Sequence, residues 1–209
     1  MAPLRNNNPG LRFLLAYWQR YCVLEDWHIS WAKRHIHIVA GLHKGDTLYL
    51  EGEKQKHVYL VARGLLARVR HDEDTDKRQI LSVALPGMAL MTTSHLYSNT
   101  PSAGNIVTLR TDSIVVQIPY RAIREFKEQE PQLNTLIAVL TNKKKKQLTA
   151  LSGMMHEPDS FARYLLFAKD MPEVQEVLTQ VEQAALLGIA RKTVQRAQYY
   201  LLTGKRPEN

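Results

Sequence analysis

The chain has 209 residues, with 28 Lys and Arg against 20 Asp and Glu, a formal net charge of +8, 44% hydrophobic residues and one cysteine. That size holds a large domain, or a medium and a small one, around a buried core, and the composition excludes disordered and collagen-like chains. No apolar run reaches the length of a membrane span, and the lone Cys22 excludes an intrachain disulfide, a cysteine-held iron–sulfur cluster and a cysteine-held zinc site.

The N-terminal residues MAPLRNNNPG have neither the apolar core nor the small-residue cleavage site of a secretion signal, so a cytoplasmic location is expected. Residues 6–10 read as a frayed leader. Leu11 to Arg34 predicts a helix with Phe13, Leu14, Trp18, Tyr21, Trp27 and Trp31 as buried anchors. Cys22, between Tyr21 and Val23, is expected to be buried and inert.

From residue 36 to 119 the texture changes to short apolar or alternating runs. They are His35–Ala40, Thr47–Leu50, Val58–Ala62, Leu65–Arg70, Gln79–Ala84, Ile106–Leu109 and Ser113–Ile118. Lys44-Gly45-Asp46, Glu51-Gly52-Glu53, Arg63-Gly64, the acidic tip Asp72–Asp76 and Pro86-Gly87 separate them. Short strands at this spacing, bounded by turn residues, indicate an antiparallel sandwich or roll.

Tyr120 to Gln129 predicts a short helix, and Glu130-Pro131 opens a longer one with Pro at a tolerated first position. Leu133, Leu136, Ile137, Leu140, Leu148, Leu151 and Met155 follow a helical seam, interrupted around Lys143–Lys146. That lysine run is expected to be a solvated face. Glu157-Pro158 closes the helix, and Asp159 to Ala168 starts another with Phe161, Tyr164, Leu165 and Ala168 as its apolar positions. Met171-Pro172 reads as a break.

Thr179 to Leu202 predicts two short helices joined by a tight turn. Thr179 and Glu182 form a Thr-x-x-Glu capping box, Val181, Ala184 and Ala185 make a buried stripe, and Gly188 marks the turn above Ile189. At 100° per residue the second helix gathers Arg191, Lys192, Gln195, Arg196 and Tyr199 on one side and Val194, Ala197 and Leu201 on the other. A long, basic, amide-bearing face supplies donors for base edges and phosphates, so the pair reads as a helix-turn-helix for the major groove. Five Lys and Arg and no acid between Arg191 and Arg206 supply the clustered charge that phosphate attraction requires. The fold class expected is α+β: an N-terminal antiparallel β-roll (double-stranded β-helix) with flanking helices, a long helix, and a C-terminal all-α helix-turn-helix domain.

This order, with Lys44-Gly45-Asp46, Leu50-Glu51-Gly52-Glu53, Val58-Tyr59-Leu60-Val61 followed by Gly64-Leu65, Pro86-Gly87 and residues 92–105, resembles the Crp/Fnr family of bacterial transcription regulators, in its short wingless branch. The resemblance runs from about Leu24 to Leu202. It implies a cyclic-nucleotide-binding-like effector roll at 1–129, a dimerisation helix at 130–156 and a DNA-binding domain at 157–209. It further implies a homodimer on a two-fold symmetric double-stranded DNA operator, with RNA polymerase as a further partner and no membrane. The family pattern Arg-Glu-Thr-Val-x-Arg reads here Arg191-Lys192-Thr193-Val194-Gln195-Arg196, so Arg191 and Arg196 match base-reading arginines and Thr193 a phosphate contact. Lys192 departs from the carboxylate and can only donate, which implies a different operator. Ala190 departs from the usual Ser or Thr cap. Thr179, Gln180 and Lys205 are expected on the phosphate backbone beside Thr193.

The effector site departs further. Met88 follows Gly87 where cyclic-nucleotide binders of the family place Glu, and the phosphate-binding pair reads Ala103-Gly104, which brings no charge. Tight cyclic AMP binding is therefore not expected, and any effector is another small molecule. Gly87, Met88, Met91, His95, Tyr97 and Ser102 line either a pocket or filled core. The eight histidines, among them His35 and His37 alternating along a strand, lack Cys or carboxylate neighbours at ligand spacing, so neither a metal nor a cofactor is expected. No nucleophile or paired-carboxylate arrangement indicates an enzyme. The alternative reading is a small-molecule-sensing or protein-interaction module with a degenerate DNA-binding domain.

Overall fold

The computed structural model describes residues 4–72, 77–91, 101–126, 128 and 130–205. The chain divides into two compact units, Met1–Arg68 with Val83–Lys144, and Val69–Ser82 with Lys145–Asn209.

In the first unit the expected single N-terminal helix is two, α1 (Pro9–Trp18) and α2 (Asp26–His35). Asn8 starts α1 by accepting the N–H groups of Gly10 and Leu11, and Pro9 occupies the first turn, where its missing N–H costs nothing. Glu25 and His28 begin α2 reciprocally, with the Glu25 N–H donating to His28 Nδ1 at 2.9 Å. This second start is why the helix breaks. Trp18 and Trp31 are buried as expected, whereas Tyr21 lies in the break and is 40% exposed. Cys22 is half-buried, its thiol pushed up by burial and donating to the Trp18 carbonyl at 3.8 Å.

Among the described residues, eight strands form two four-stranded antiparallel sheets. One holds β1 (His37–Leu42), β8 (Ser113–Pro119), β3 (His57–Arg63) and β6 (Ala89–Leu90), in the order β1-β8-β3-β6. The other holds β2 (Thr47–Tyr49), β7 (Asn105–Thr108), β4 (Leu66–Asp72) and β5 (Lys77–Ala84), in the order β2-β7-β4-β5. Seven strands fall on the runs read from sequence; two-residue β6 is additional. Strand alternation then builds two cores. Val58 and Leu60 of β3, with Val116 and Ile118 of β8, join Leu11, Leu14, Trp18 and Trp31 on the helix side. Tyr59 and Val61, with Val115, face Leu42, Tyr49, Leu66, Leu90 and Ile106 on the other.

After α3 (Tyr120–Phe126), α4 (Pro131–Met155) runs from the first unit into the second. Leu133, Leu136, Ile137 and Leu140 pack into the helix-side core, and Leu151 is buried further along. Two expectations for this helix are corrected. Met154, not Met155, is the buried methionine, and Lys144 of the lysine run is only 9% exposed. It stands four residues beyond Leu140 and seven beyond Ile137, on the same stripe.

The second unit continues with α5 (Ser160–Asp170), α6 (Pro172–Val177), α7 (Gln180–Leu187) and α8 (Arg191–Thr203). Asp159 caps α5, and the expected break falls at Met171, which ends α5 and precedes a further helix, α6, opened by Pro172. Tyr164, Phe167, Val174, Leu178, Leu186, Leu187, Val194 and Ala197 are among its buried apolar residues. Helix α8 packs on α5 and α7. No helix among the described residues is long and apolar enough to cross a membrane.

Candidate nucleic-acid interface

The turn between α7 and α8 follows from local chemistry. The Thr179 hydroxyl accepts the Glu182 N–H at 3.3 Å while the Glu182 carboxylate accepts the Thr179 N–H at 2.9 Å, the reciprocal box read from sequence. Gly188 ends α7 at φ 62°, in the left-handed region where a side chain is disfavoured, and the Ile189 N–H reaches back to the Ala184 carbonyl. Arg163 of α5 fixes the corner from below, donating to the carbonyl of Leu187 at 3.0 Å and twice to that of Glu157. The sequence reading missed this clamp, because one arginine in an amphipathic helix carries no signal of its own.

Helix α8 begins at Ala190, which has no side-chain cap. Val194 and Ala197 are fully buried, and that anchors its rotation. Arg191, Lys192, Gln195 and Arg196 are exposed, Thr193 is half-buried and Tyr199 is 48% exposed. Thr179, beside them at the start of α7, is exposed and Gln180 half-buried, and Lys205 is exposed beyond the Gly204 cap. Two expectations are corrected here. Leu201, on the stripe of Val194 and Ala197, is 50% exposed, and Val181 is 58% exposed while Ala184 holds the buried stripe. Polar contacts spread inward from this face through glutamines: Gln195 to Gln180 at 3.3 Å, Gln180 to Gln198 at 2.7 Å and Gln198 to Gln183 at 3.2 Å.

The interior of the first unit has a different chemistry. Gly87 is buried at φ +79°, donates to the Val61 carbonyl and accepts from Lys143 Nζ at 3.3 Å; Met88 is half-buried and Met91 fully buried. Ser102 is buried with its hydroxyl unpartnered, and its N–H donates to the Tyr49 hydroxyl at 2.9 Å. His95 and Tyr97 lie outside the described residues.

Arg68 of β4, 2% exposed, is the centre of this region. Its guanidinium donates to the carbonyls of Ala103 at 3.1 Å, Gly104 at 3.3 Å and Met91 at 3.1 Å, and to Gln55 Oε1 at 2.9 Å. Lys144 Nζ donates to the same Met91 carbonyl at 3.1 Å. Two cations therefore converge on one oxygen. Burial, followed by the charge of Arg68, holds the Lys144 ammonium down at about 8. Neither cation was singled out from the sequence. Strand alternation does put Arg68 on the face of Leu66, and helical spacing puts Lys144 under Leu140, so both signals were present.

The sheet pairing and glycine-bounded turns around this interior decide what the first unit resembles. Residues 41–130 match the family model of the cyclic nucleotide-binding domain. No curated protein matches the chain in sequence. Solved structures extend the likeness beyond this domain. The structure of FixK2 from Bradyrhizobium japonicum superposes with a TM-score of 0.67 at 19% identity, covering 81% of this chain and 85% of that one. CLP, a c-di-GMP responsive global regulator from Xanthomonas campestris, gives 0.63 at 16% identity, covering 86% and 93%. A CRP-family transcriptional regulator from Thermus thermophilus gives 0.58 at 16% identity, covering 80% and 85%. The chain thus has the fold of these regulators, with a cyclic nucleotide-binding domain followed by a helical region. In that domain Ala103-Gly104, the pair that the sequence reading found without charge at the phosphate-binding position, turns its carbonyls to Arg68.

Proposed function

We propose that this protein is a sequence-specific DNA-binding transcription regulator of the Crp/Fnr type, in its short wingless branch. It acts as a homodimer through a dimerisation helix at 130–156, with an effector roll at 1–129 and a DNA-binding domain at 157–209. The observation that carries the reading is the rotation of α8: burial of Val194 and Ala197 leaves Arg191, Lys192, Gln195 and Arg196 exposed together. A helix presenting guanidinium and amide groups of this length suits the major groove, where arginine pairs bidentately with guanine and glutamine with adenine. Thr179, Gln180, Thr193 and Lys205 flank that face and serve the phosphate backbone, which fixes register without reading sequence. The regulators with this fold named above support the same reading.

The effector of the roll is not cyclic AMP. A cyclic phosphate needs a cation or several free donors. Ala103-Gly104 supplies no charge, and four donors of Arg68 are committed to protein oxygens. The missing cap at Ala190 and the lysine at 192 favour one second reading, a small-molecule-sensing or protein-interaction module whose DNA-binding domain has drifted. Selection of bound duplexes from a random pool separates the two. Enrichment of an inverted repeat is expected for the regulator, and no enrichment would leave the second reading.

A further inference from the structure

Nearly every group on the exposed face of α8 is a donor. Arginine and lysine have no acceptor, so they address guanine, thymine O4 or phosphate but not the amino groups of adenine or cytosine. Gln195 differs, because a carboxamide offers an oxygen as well as N–H groups. What it offers to DNA depends on which end of the amide is turned outward, and the structure fixes that end from inside the protein.

The fixing begins at Gln183 of α7, which is 2% exposed. Its Nε2 donates to the backbone carbonyls of Gln175 at 2.7 Å and Leu178 at 2.9 Å. Carbonyls only accept, so the nitrogen must face them and Oε1 must face the other way. There Oε1 accepts from the hydroxyl of buried Tyr164 at 2.9 Å and from Gln198 Nε2 at 3.2 Å. Gln198, having turned its nitrogen inward, presents its oxygen to Gln180 Nε2 at 2.7 Å. Gln180, with its nitrogen turned to Gln198, faces its oxygen toward Gln195, whose Nε2 donates to it at 3.3 Å. Each amide's polarity dictates the next, so two buried carbonyls set the orientation of an exposed side chain three links away.

We propose that this amide ladder makes Gln195 an adenine reader, with Gln198 and Gln183 as positioning residues. The ladder uses one N–H of Gln195. Its Oε1 and second N–H remain for the N6 amino group and N7 of adenine, the bidentate pairing that a carboxamide makes in the major groove. The reverse orientation would spend the oxygen on the ladder and expose two donors, a face suited to guanine or thymine. The inference rests on the DNA-binding reading above.

The test is base preference at each operator position, measured by selection from a random duplex pool for the wild-type protein, Gln195→Ala, Gln198→Met and Gln180→Met. The position read by Gln195 is the one whose preference disappears in Gln195→Ala. Wild type is expected to favour adenine there by about tenfold or more, the range of a good bidentate contact. Gln198→Met, which does not touch DNA, is expected to cut that preference to about threefold or less, leaving affinity for random duplex, its salt dependence and the melting temperature unchanged. Gln180→Met cuts the ladder one link nearer the surface and is expected to relax the same position, which keeps the test available if Gln198→Met fails to fold. Full adenine preference in the ladder variants, or a guanine or thymine preference in wild type, would overturn the inference while leaving a DNA-binding protein. A wild-type pool with no enriched sequence would instead remove the DNA-binding reading and this inference together.

Discussion

Replacing Lys144 by methionine is expected to abolish a rise in stability between pH 8 and 9.5. The Lys144 ammonium is held at about 8 against an ordinary 10.5, first by burial and then by Arg68. At about 1.4 kcal/mol per tenfold change, keeping that charge inside the folded protein costs about 3 kcal/mol at pH 7. Methionine has a similar length and no charge to desolvate, and it forfeits the charged hydrogen bond to the Met91 carbonyl, a contribution of about 1.5–3 kcal/mol. At pH 7 the two contributions oppose each other, and the variant is distinguished by its pH dependence in urea unfolding. The wild-type pH dependence checks the cause. Between pH 8 and 10.5 the unfolded chain keeps the Lys144 proton and the folded chain does not, so stability should rise with pH, by at most about 1.4 kcal/mol per pH unit. The window to use runs from pH 8 to about 9.5, read as the difference between wild type and Lys144→Met, because burial also holds the Cys22 thiol above its ordinary value and that opposing trend, present in both proteins, cancels in the difference. Burial pushes the Tyr59 phenol to about 12 and the Tyr17 phenol higher still, so above pH 10 their ionisation in the unfolded chain acts in the opposite direction. A difference between wild type and Lys144→Met that is flat from pH 8 to 9.5 would refute the reasoning.

Four further outcomes are expected. Ala190→Ser supplies the cap that α8 lacks and should add about 1 kcal/mol by thermal or urea unfolding, whereas Gly188→Ala, at φ 62° with open space around it, should cost about 1 kcal/mol through backbone conformation alone. Arg196→Ala should lose about 1–3 kcal/mol on the selected operator and much less on random duplex, as read by mobility shift; equal losses on both would reassign it to phosphate. Calorimetry with cyclic AMP should detect no binding tighter than about 100 micromolar, equivalent to about −5.5 kcal/mol.

The outline of this fold was legible because it rests on local rules. Strand runs bounded by Gly45, Gly52, Gly64 and Gly87, the Thr179–Glu182 box and the left-handed Gly188 all operate within a few residues of chain, and each was read. What escaped depends on longer range or on single residues. The break between α1 and α2 comes from a cap that uses Glu25 with His28, an unusual pair, inside a run of aromatic residues that reads as continuous helix. β6 is two residues long and exists only because β3 pairs with it, Tyr59 against Leu90 and Leu60 against Ala89. Leu201 lies on the stripe of Val194 and Ala197 yet is half exposed, because periodicity gives a residue's side of the helix and not what packs against it. The same holds for polar residues at apolar positions. Arg68 and Lys144 are buried because protein carbonyls accept from them, and those carbonyls come from Met91, Ala103 and Gly104, far away in sequence. The glutamine ladder was invisible for a related reason: Gln175, Gln180, Gln183, Gln195 and Gln198 are ordinary helix residues until three helices bring them together.

The most direct measurement of the central claim is the slope of log affinity against log salt on duplex DNA, for wild type and for Arg191→Ala, Lys192→Ala and Arg196→Ala combined. If α8 enters a groove with its cations against the duplex, the wild-type slope is steep and the triple variant's is shallower, by about 1 for each cation that neutralises a phosphate. A wild-type slope near zero, or one that the triple variant leaves unchanged, would contradict the account.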